Sequence, residues 1–129
     1  MPVIAYAPLR ALLLVHGLIT LAAAIVLVVV PGLIPALAGI ELPADAYLLA
    51  YLLGAAQLAI AVLSLGGSRL GDLAALRLIA ISCVALHAAS AALILYAIHG
   101  QPVNRILVLN VIARCVIIVL FIALSRPRP

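Results

Sequence analysis

Four long runs of apolar residues fill most of the chain, and short joints rich in proline, glycine and arginine separate them. The runs lie at about residues 9–30, 46–65, 73–98 and 103–125. Crossing a hydrocarbon core of about 30 Å takes a helix of about 20 residues, and each run has that length. A helix also satisfies its own backbone hydrogen bonds in lipid. The pattern predicts an all-α, four-helix transmembrane bundle, with residues 1–129 forming a single domain.

The positions of proline support these boundaries. All eight prolines lie outside the runs, as uninterrupted helices require. The joints after the second and third runs are short, so each predicts a helix hairpin, and the four helices are expected in up-down-up-down order. The first joint, over residues 31–45, is longer and is apolar but broken by prolines. We interpret it as a loop on the lipid headgroups, with a short interfacial helix or a cap over a pocket as alternatives.

Composition indicates the solvent of this chain. Its residues are 70% hydrophobic and 8% charged, whereas soluble domains carry about 25% charged residues. All seven basic residues are arginines, and most of them flank the apolar runs instead of forming one polar face. This placement argues against nucleic acid as a partner, and the low charge indicates the lipid bilayer.

The arginines also predict an orientation. The third joint carries Arg105, whereas the first joint carries only the acids Glu41 and Asp45. The other flanking arginines lie near the two termini and around the second joint: Arg10, Arg69, Arg77, Arg126 and Arg128. The positive-inside rule then predicts a multi-pass protein of the bacterial inner membrane with both termini in the cytoplasm, N-in and C-in.

Each run carries one stripe of polar positions when its residues are placed at 100° intervals. The candidate site residues on these stripes are His16, Gln57, His87, Asn110 and Arg114. At 1.5 Å per residue they lie about 8–21 Å from the cytoplasmic ends of their runs. We therefore expect all four helices to point these side chains inward, into one polar cluster near the midplane.

Arg114 is the most informative member of this set. An arginine at the bilayer centre costs about 2.5–3.5 kcal/mol on insertion scales, and no acidic residue lies within any run to neutralise it. Its expected partners are Gln57, Asn110, backbone carbonyls, water or a bound anion. Three interpretations stay open: polar contacts that fix the register of the helices, a site for a ligand or anion, and a proton or ion path.

Histidine and cysteine raise the question of cofactors. His16 and His87 lie on separate helices that are expected to run parallel, as in bis-histidine haem ligation. The alanine-rich interior leaves little room for a macrocycle, so no cofactor is predicted, with haem or quinone as the alternative. Metal sites need three or four ligands, and no such cluster is present in the pattern. Cys83 and Cys115 belong to no C-x-x-C pair and are interpreted as packing residues.

Small residues predict where membrane helices meet. The third run is richest in them and is expected at the centre of the bundle, and the second contains Ala50-x-x-x-Gly54. The fourth run is mostly valine, isoleucine and leucine and is expected to expose most of its surface to lipid. His16 and His87 each lie in the first helix of a hairpin whose second helix holds a polar residue, which suggests two parallel hairpin repeats with a site between them.

The layout also resembles a known group. The features are "VHGL" in the first run, "LLGAAQLAIAVL" in the second, "LHAASAAL" in the third and "NVIAR" in the fourth. Together with the proline-rich first joint, they resemble small bacterial inner-membrane proteins that are DoxX-like in the loose sense. Some members are associated with quinone-linked sulfur oxidation or redox complexes, so the resemblance implies a membrane redox component as one option. It carries over no catalytic residue.

These observations favour a non-enzymatic role. The leading hypothesis is an accessory protein or complex subunit, in a homo-oligomer or a membrane complex, whose polar cluster is structural. The alternative is a binder or carrier of a small anionic or quinone-like ligand at Arg114, Asn110, Gln57, His87 and His16. A redox component is the third option.

Overall fold

A computed structural model of the chain describes residues 6–100 and 104–126. These residues are mostly helical and contain no strand. The elements in chain order are α1 (Ala7–Val29), α2 (Leu33–Leu37), a 3₁₀ turn (Ala44–Ala46), α3 (Tyr47–Gly67), α4 (Leu73–Ile98) and α5 (Arg105–Ser125). The four long helices are α1, α3, α4 and α5, and the two short elements lie in the first joint.

Each long helix is long and apolar enough to cross a membrane. Large aliphatic side chains are exposed along all four, as lipid-facing surfaces require. The chain is therefore a multi-pass membrane protein by its composition and fold. Where a predicted span boundary falls within the described residues, it lies within two residues of a helix end. The predicted start of the fourth span, at residue 103, lies outside the described residues. So does Arg128, one of the arginines that predict the orientation.

Local sequence explains where the helices begin. Pro8 lies in the first turn of α1, where a helix tolerates proline because the N–H groups there have no intrahelical partner. Asp72 caps α4 by accepting hydrogen bonds from the backbone N–H groups of Ala74 and Ala75. Asn104 caps α5 in the same way. Such side-chain caps satisfy donors that a helix start leaves free.

The four long helices form two closely packed pairs, α1 with α3 and α4 with α5. Two glycines allow the first pair to approach closely. A Cβ atom on Gly17 would lie 2.8 Å from Cγ of Leu65, and one on Gly54 would lie 3.3 Å from the backbone oxygen of Ala24. The predicted Ala50-x-x-x-Gly54 motif thus lies on the buried face of α3.

An arginine joins the two helices of each pair at the end where α1 and α4 begin. Nε of Arg10 in α1 donates to the backbone oxygen of Ser68, which ends α3, at 2.8 Å. Nε of Arg77 in α4 donates to the backbone oxygen of Ser125, at the end of α5, at 3.2 Å. Because the last carbonyls of a helix have no intrahelical partner, both arginines satisfy acceptors that would otherwise be left free.

The two pairs meet mainly at this same end of the molecule. The largest buried side chains there come from α1, α4 and α5 and form one cluster: Leu9, Leu13, Leu76, Ala80, Cys83 and Phe121. The expectation that the third run is central is wrong, since α1 contributes more buried residues than α4. The reason is that α1 packs along α3 more extensively than α4 packs along α5, although both α1 and α4 contact the other three long helices. As expected, α5 is the most exposed of the four.

The first joint does more than connect two helices. The side-chain nitrogen of Asn104 donates to the backbone oxygen of Ala38, which ties the joint to the start of α5. Beneath the joint lies an apolar cavity of about 300 Å³, lined by the joint and by α1, α3 and α5: Leu27, Ile34, Pro35, Ala38, Ile40, Leu42, Leu49, Ala50, Leu53 and Leu107. The joint therefore contains a short helix and covers a cavity, in agreement with the alternatives to a simple surface loop.

Candidate functional site: a polar chain across the helices

Two histidines meet at the junction of the helix pairs. Nε2 of His16 in α1 and Nε2 of His87 in α4 lie 2.9 Å apart, at hydrogen-bond distance. Their rings are nearly perpendicular, at 79°, and both side chains are buried. The ring of Phe121 packs edge-on against His16, with centroids 5.4 Å apart. This contact joins the two helix pairs directly.

The other nitrogen of His16 bonds to the partner helix of its own pair. Nδ1 of His16 lies 2.9 Å from Oγ of Ser64 in α3, and that hydroxyl lies 3.8 Å from Sγ of Cys83 in α4. Ser64 has no exposed surface, and Cys83 has almost none. Thr20 donates to the backbone oxygen of His16 at 2.7 Å. This side of the site is therefore closed by packing.

The other nitrogen of His87 likewise bonds to its own pair. Nη1 of Arg114 in α5 lies 3.3 Å from Nδ1 of His87. Nε of Arg114 donates to Oδ1 of Asn110, one turn away, at 2.7 Å. The result is one continuous series of contacts with members on all four long helices, called here the polar chain: Cys83, Ser64, His16, His87, Arg114 and Asn110.

Arg114 sets the direction of the hydrogen bonds from His87 through His16 to Ser64. A guanidinium only donates, and each ring nitrogen of a neutral histidine either donates or accepts. Nδ1 of His87 must therefore accept from Arg114, so His87 carries its proton on Nε2 and donates it to Nε2 of His16. His16 then carries its proton on Nδ1 and donates to the hydroxyl oxygen of Ser64. Between Ser64 and Cys83 either group can donate.

This direction limits the chemistry of the site. A proton added to His87 would face the N–H of Arg114, and a proton added to Nε2 of His16 would face the N–H of His87. Either addition replaces a hydrogen bond by a contact between two donors. Arg114 accepts no hydrogen bond, and the Cys83 end is buried, so neither end can take up a proton. The geometry thus argues against the proton-path interpretation.

Burial changes sharply along the polar chain. Within residues 6–100 and 104–126, every buried side-chain nitrogen and oxygen has a hydrogen-bond partner. Toward α5 the chain reaches the surface, because Arg114 is half-buried and Asn110 is exposed. The expectation that all four polar stripes point inward is therefore wrong for α5. Its small share of buried surface leaves the Asn110 side of this helix facing outward.

The exposed end of the chain consists almost entirely of donors. Arg114 has five N–H donors, and its hydrogen bonds to described residues use one on Nε and one on Nη1. The amide nitrogen of Asn110 bonds to none of the described residues. No acidic residue lies in α1, α3, α4 or α5. A positive charge with unused donors thus lies at mid-length on the outer side of α5.

The structure places the five predicted site residues unequally. It brings His16, His87, Asn110 and Arg114 together, whereas Gln57 is half-buried and bonds neither to Arg114 nor to any other described residue. Ser64, seven residues after Gln57, takes the expected place in α3. Gln57 and Ser64 lie on one stripe of α3. The depth of each residue in the membrane could have selected Ser64, because His16 lies in the half of α1 that packs beside the end of α3.

The geometry also bears on metals and haem. With metal–nitrogen bonds of about 2.0 Å, two histidines need about 4 Å between their ligating nitrogens when they face each other across haem iron, and about 3.3 Å at tetrahedral zinc. The Nε2 atoms of His16 and His87 lie 2.9 Å apart and bond to each other. Among the described residues, no group of three or more His, Cys, Asp or Glu is placed to hold a metal ion. Cys83 and Cys115 are free thiols, one buried and one exposed.

Comparison with known proteins adds no assignment. No known protein family, curated protein or solved structure matches the chain. The DoxX-like resemblance of the sequence therefore stays a prediction. The function has to be argued from the polar chain itself.

Proposed function

We propose that this protein is a non-enzymatic subunit or accessory protein of a bacterial inner-membrane complex. In this proposal its helices run up-down-up-down, and both termini lie in the cytoplasm, as the distribution of flanking arginines predicts. The buried part of the polar chain holds the four helices in register, and the exposed end on α5 contacts another component.

The closed interior supports a structural role for the buried part. The nucleophile types in the polar chain, Ser64 and Cys83, lie where no substrate reaches them. Buried polar groups whose hydrogen bonds are all satisfied stabilise one arrangement of helices over alternatives, because any shift in register leaves them unpaired. Three helices contribute to this buried part, and Arg114 connects it to the fourth.

The observation that carries the proposal is the donor-rich end of the chain on α5. A lone arginine facing lipid is costly, yet Arg114 lies at mid-length with Asn110 exposed beside it. Polar residues on membrane helices usually face other helices, where their hydrogen bonds are completed. A second component that covers this side of α5 would complete them.

One observation favours a second candidate, a binder of a small anionic or quinone-like ligand. Leu107 lines the apolar cavity under the first joint, and Arg114 follows it by two helical turns on the same side of α5, about 10 Å deeper. A ligand with an acceptor group near Arg114 and an apolar body toward Leu107 would use both features.

Native mass spectrometry of the protein purified in mild detergent separates the two candidates. We expect a complex whose mass is not a whole multiple of the mass of this chain, which indicates a second component. We expect Arg114→Met to dissociate it. Arg105→Met is the matched control, because Arg105 is exposed at the start of α5 and belongs to no part of the polar chain. A monomer with a bound small molecule would favour the ligand candidate, and a bare monomer would contradict both.

A further inference from the structure

We propose that the side of α5 around Asn110, Ala113 and Arg114 docks a transmembrane helix of the partner that carries an aspartate or glutamate near its midpoint. This inference rests on the proposed function and specifies the chemistry of the partner. It is called here the carboxylate-helix proposal, and the three residues are called the α5 docking face.

Charge is the first argument. The α5 docking face carries one positive charge, and the membrane-spanning helices hold no acidic residue that could neutralise it. Intramembrane charges are retained where they pair with one another or serve a functional site. The charge that is missing from this chain is therefore expected on the molecule that covers Arg114.

The donor pattern narrows the group further. Nη2 of Arg114 and Nδ2 of Asn110 bond to none of the described residues, whereas Nε and Nη1 are held by Asn110 and His87. These bonds fix the plane of the guanidinium and leave an edge of donors. A carboxylate has two acceptor oxygens that fit such an edge, and arginine–carboxylate pairs are often bidentate. A neutral amide could occupy the same edge but would leave the charge unpaired.

The shape of the docking face suits a helix. Ala113 is exposed and lies three residues from Asn110, so it shares that side of α5 and lets another backbone approach closely. Exposed aliphatic side chains flank the face: Leu109 is 60% exposed and Val116 is 53% exposed. A polar centre between apolar flanks complements a membrane helix with one acidic residue in an apolar sequence.

Two other occupants fit less well. A second copy of this chain would bring two Arg114 side chains to one symmetric interface, with no acid to separate the like charges. A small amphiphile would need an enclosed pocket at Arg114, but Asn110 and Ala113 beside it are exposed, so this side of α5 is open. The open, lateral position of the docking face favours a helix.

The experiment uses three synthetic transmembrane peptides in phosphatidylcholine vesicles that contain the full-length protein. Each peptide is a leucine/alanine helix with Asp, Asn or Leu at its centre and a terminal dye, and binding is followed by energy transfer from a dye on Cys115. We expect the Asp peptide to bind about tenfold more tightly than the Leu peptide, with the Asn peptide between them. Arg114→Met should abolish this difference, and Arg105→Met should not.

The comparison among peptides uses the unmodified fold, so it does not depend on any variant folding correctly. Cys115 is exposed but faces away from the docking face, one residue from Arg114 along the helix. A label on Val119→Cys, an exposed position on the opposite side of α5, in a Cys115→Ser background checks that the dye itself does not block docking. The same preference for Asp should appear with either label position.

Three results would overturn the carboxylate-helix proposal: equal binding of the Asp and Leu peptides, displacement of the Asp peptide by a stoichiometric amount of oleate, or self-association that Arg114→Met weakens and the Asp peptide leaves unchanged. The proposed function is tested separately. If native mass spectrometry shows a hetero-complex while the peptides bind equally, the subunit role stands and the carboxylate partner is wrong. If the purified protein is a bare monomer, the subunit role itself fails.

Discussion

The two helix pairs solve the same problem with different chemistry. Between α1 and α3, glycines bring the backbones together, and the added Cβ atoms of Gly17 and Gly54 would meet neighbouring atoms at 2.8–3.3 Å. Between α4 and α5 no glycine does so, and the contacts include a hydrogen bond from Arg114 to His87 and another from Arg77 to the end of α5. Close packing excludes other molecules, whereas the polar contacts leave donors exposed.

The pairs also share a plan. In each, the first helix carries an arginine that bonds to the end of its partner, and a histidine that bonds to a polar side chain of its partner: Ser64 for His16 and Arg114 for His87. The two histidines then bond to each other. The predicted hairpin repeats would have a similar arrangement. In the structure, however, Ser64 takes the place of Gln57, and a hydrogen bond between the two histidines lies where a ligand site was suggested. The difference is that the first pair closes its end of the polar chain, and the second leaves it open.

The largest effect is expected where the two pairs meet. His16→Leu removes two hydrogen bonds at once and leaves the N–H of His87 and the hydroxyl of Ser64 buried without these partners. Each such group costs about 1–3 kcal/mol, so the free energy of unfolding in mixed micelles should fall by about 2–6 kcal/mol. Adding His87→Leu should cost less than the sum of the single changes, because both ends of the central bond are then apolar.

His99→Leu is the matched control, since His99 is exposed at the end of α4 and its side chain bonds to no described residue. It should leave the unfolding free energy nearly unchanged. If His16→Leu and His99→Leu lowered the free energy of unfolding equally, the hydrogen bond between His16 and His87 would contribute no stability to the contact between the pairs.

The next effect concerns the first pair alone. Gly17→Ala places a methyl group 2.8 Å from the side chain and 3.0 Å from the backbone nitrogen of Leu65, so α1 and α3 must separate. Overpacking of this kind costs about 1–3 kcal/mol. Gly66→Ala, in the same pair but with no atom within 4 Å of the added group, should be neutral or slightly stabilising, because alanine is the better helix former. If Gly66→Ala lowered the free energy of unfolding as much as Gly17→Ala, the loss at Gly17 could not be assigned to close packing against Leu65.

The smallest effect tests the ends of the pairs. Arg77→Met removes the hydrogen bond to the backbone oxygen of Ser125 and should lower the unfolding free energy by about 1 kcal/mol. Arg10→Met should do the same at the end of α3, since it removes the corresponding bond to Ser68. Arg69→Met, at an exposed position in the same joint region, provides the comparison. Thermal unfolding in detergent would contradict the parallel between the pairs if only one of Arg10 and Arg77 mattered.

Much of the fold could be predicted from the sequence, because an apolar segment in lipid must satisfy its own backbone hydrogen bonds and therefore forms a helix. Apolar length, proline positions and capping residues such as Asp72 define helices that need no tertiary contact to exist. The packing order was harder to predict. Small residues favour close contact wherever they occur, so the alanine-rich third run appeared central. The most buried helix is instead α1, because Gly17 lets it pack closely along α3.

The site was predictable as a set of helix stripes but not as a set of bonds. His16, His87, Asn110 and Arg114 were selected because they are polar residues at similar depth. Which residue of α3 would join them depended on a vertical offset of two turns between Gln57 and Ser64, and helix tilt and register decide that offset. The outward position of Asn110 depended on the rotation of α5, which an almost wholly aliphatic sequence does not define.

The proposed role of the polar chain depends on the direction of its hydrogen bonds, from Arg114 through His87 and His16 to Ser64. The tautomers of the two histidines test this direction most directly. Nitrogen-15 chemical shifts of the histidine side chains, measured at neutral pH in lipid bilayers, distinguish protonation on Nδ1 from protonation on Nε2. The account predicts His87 protonated on Nε2 and His16 on Nδ1, with Arg114→Met releasing His87 into a mixture of tautomers. A His87 protonated on Nδ1 in the unmodified protein would contradict it.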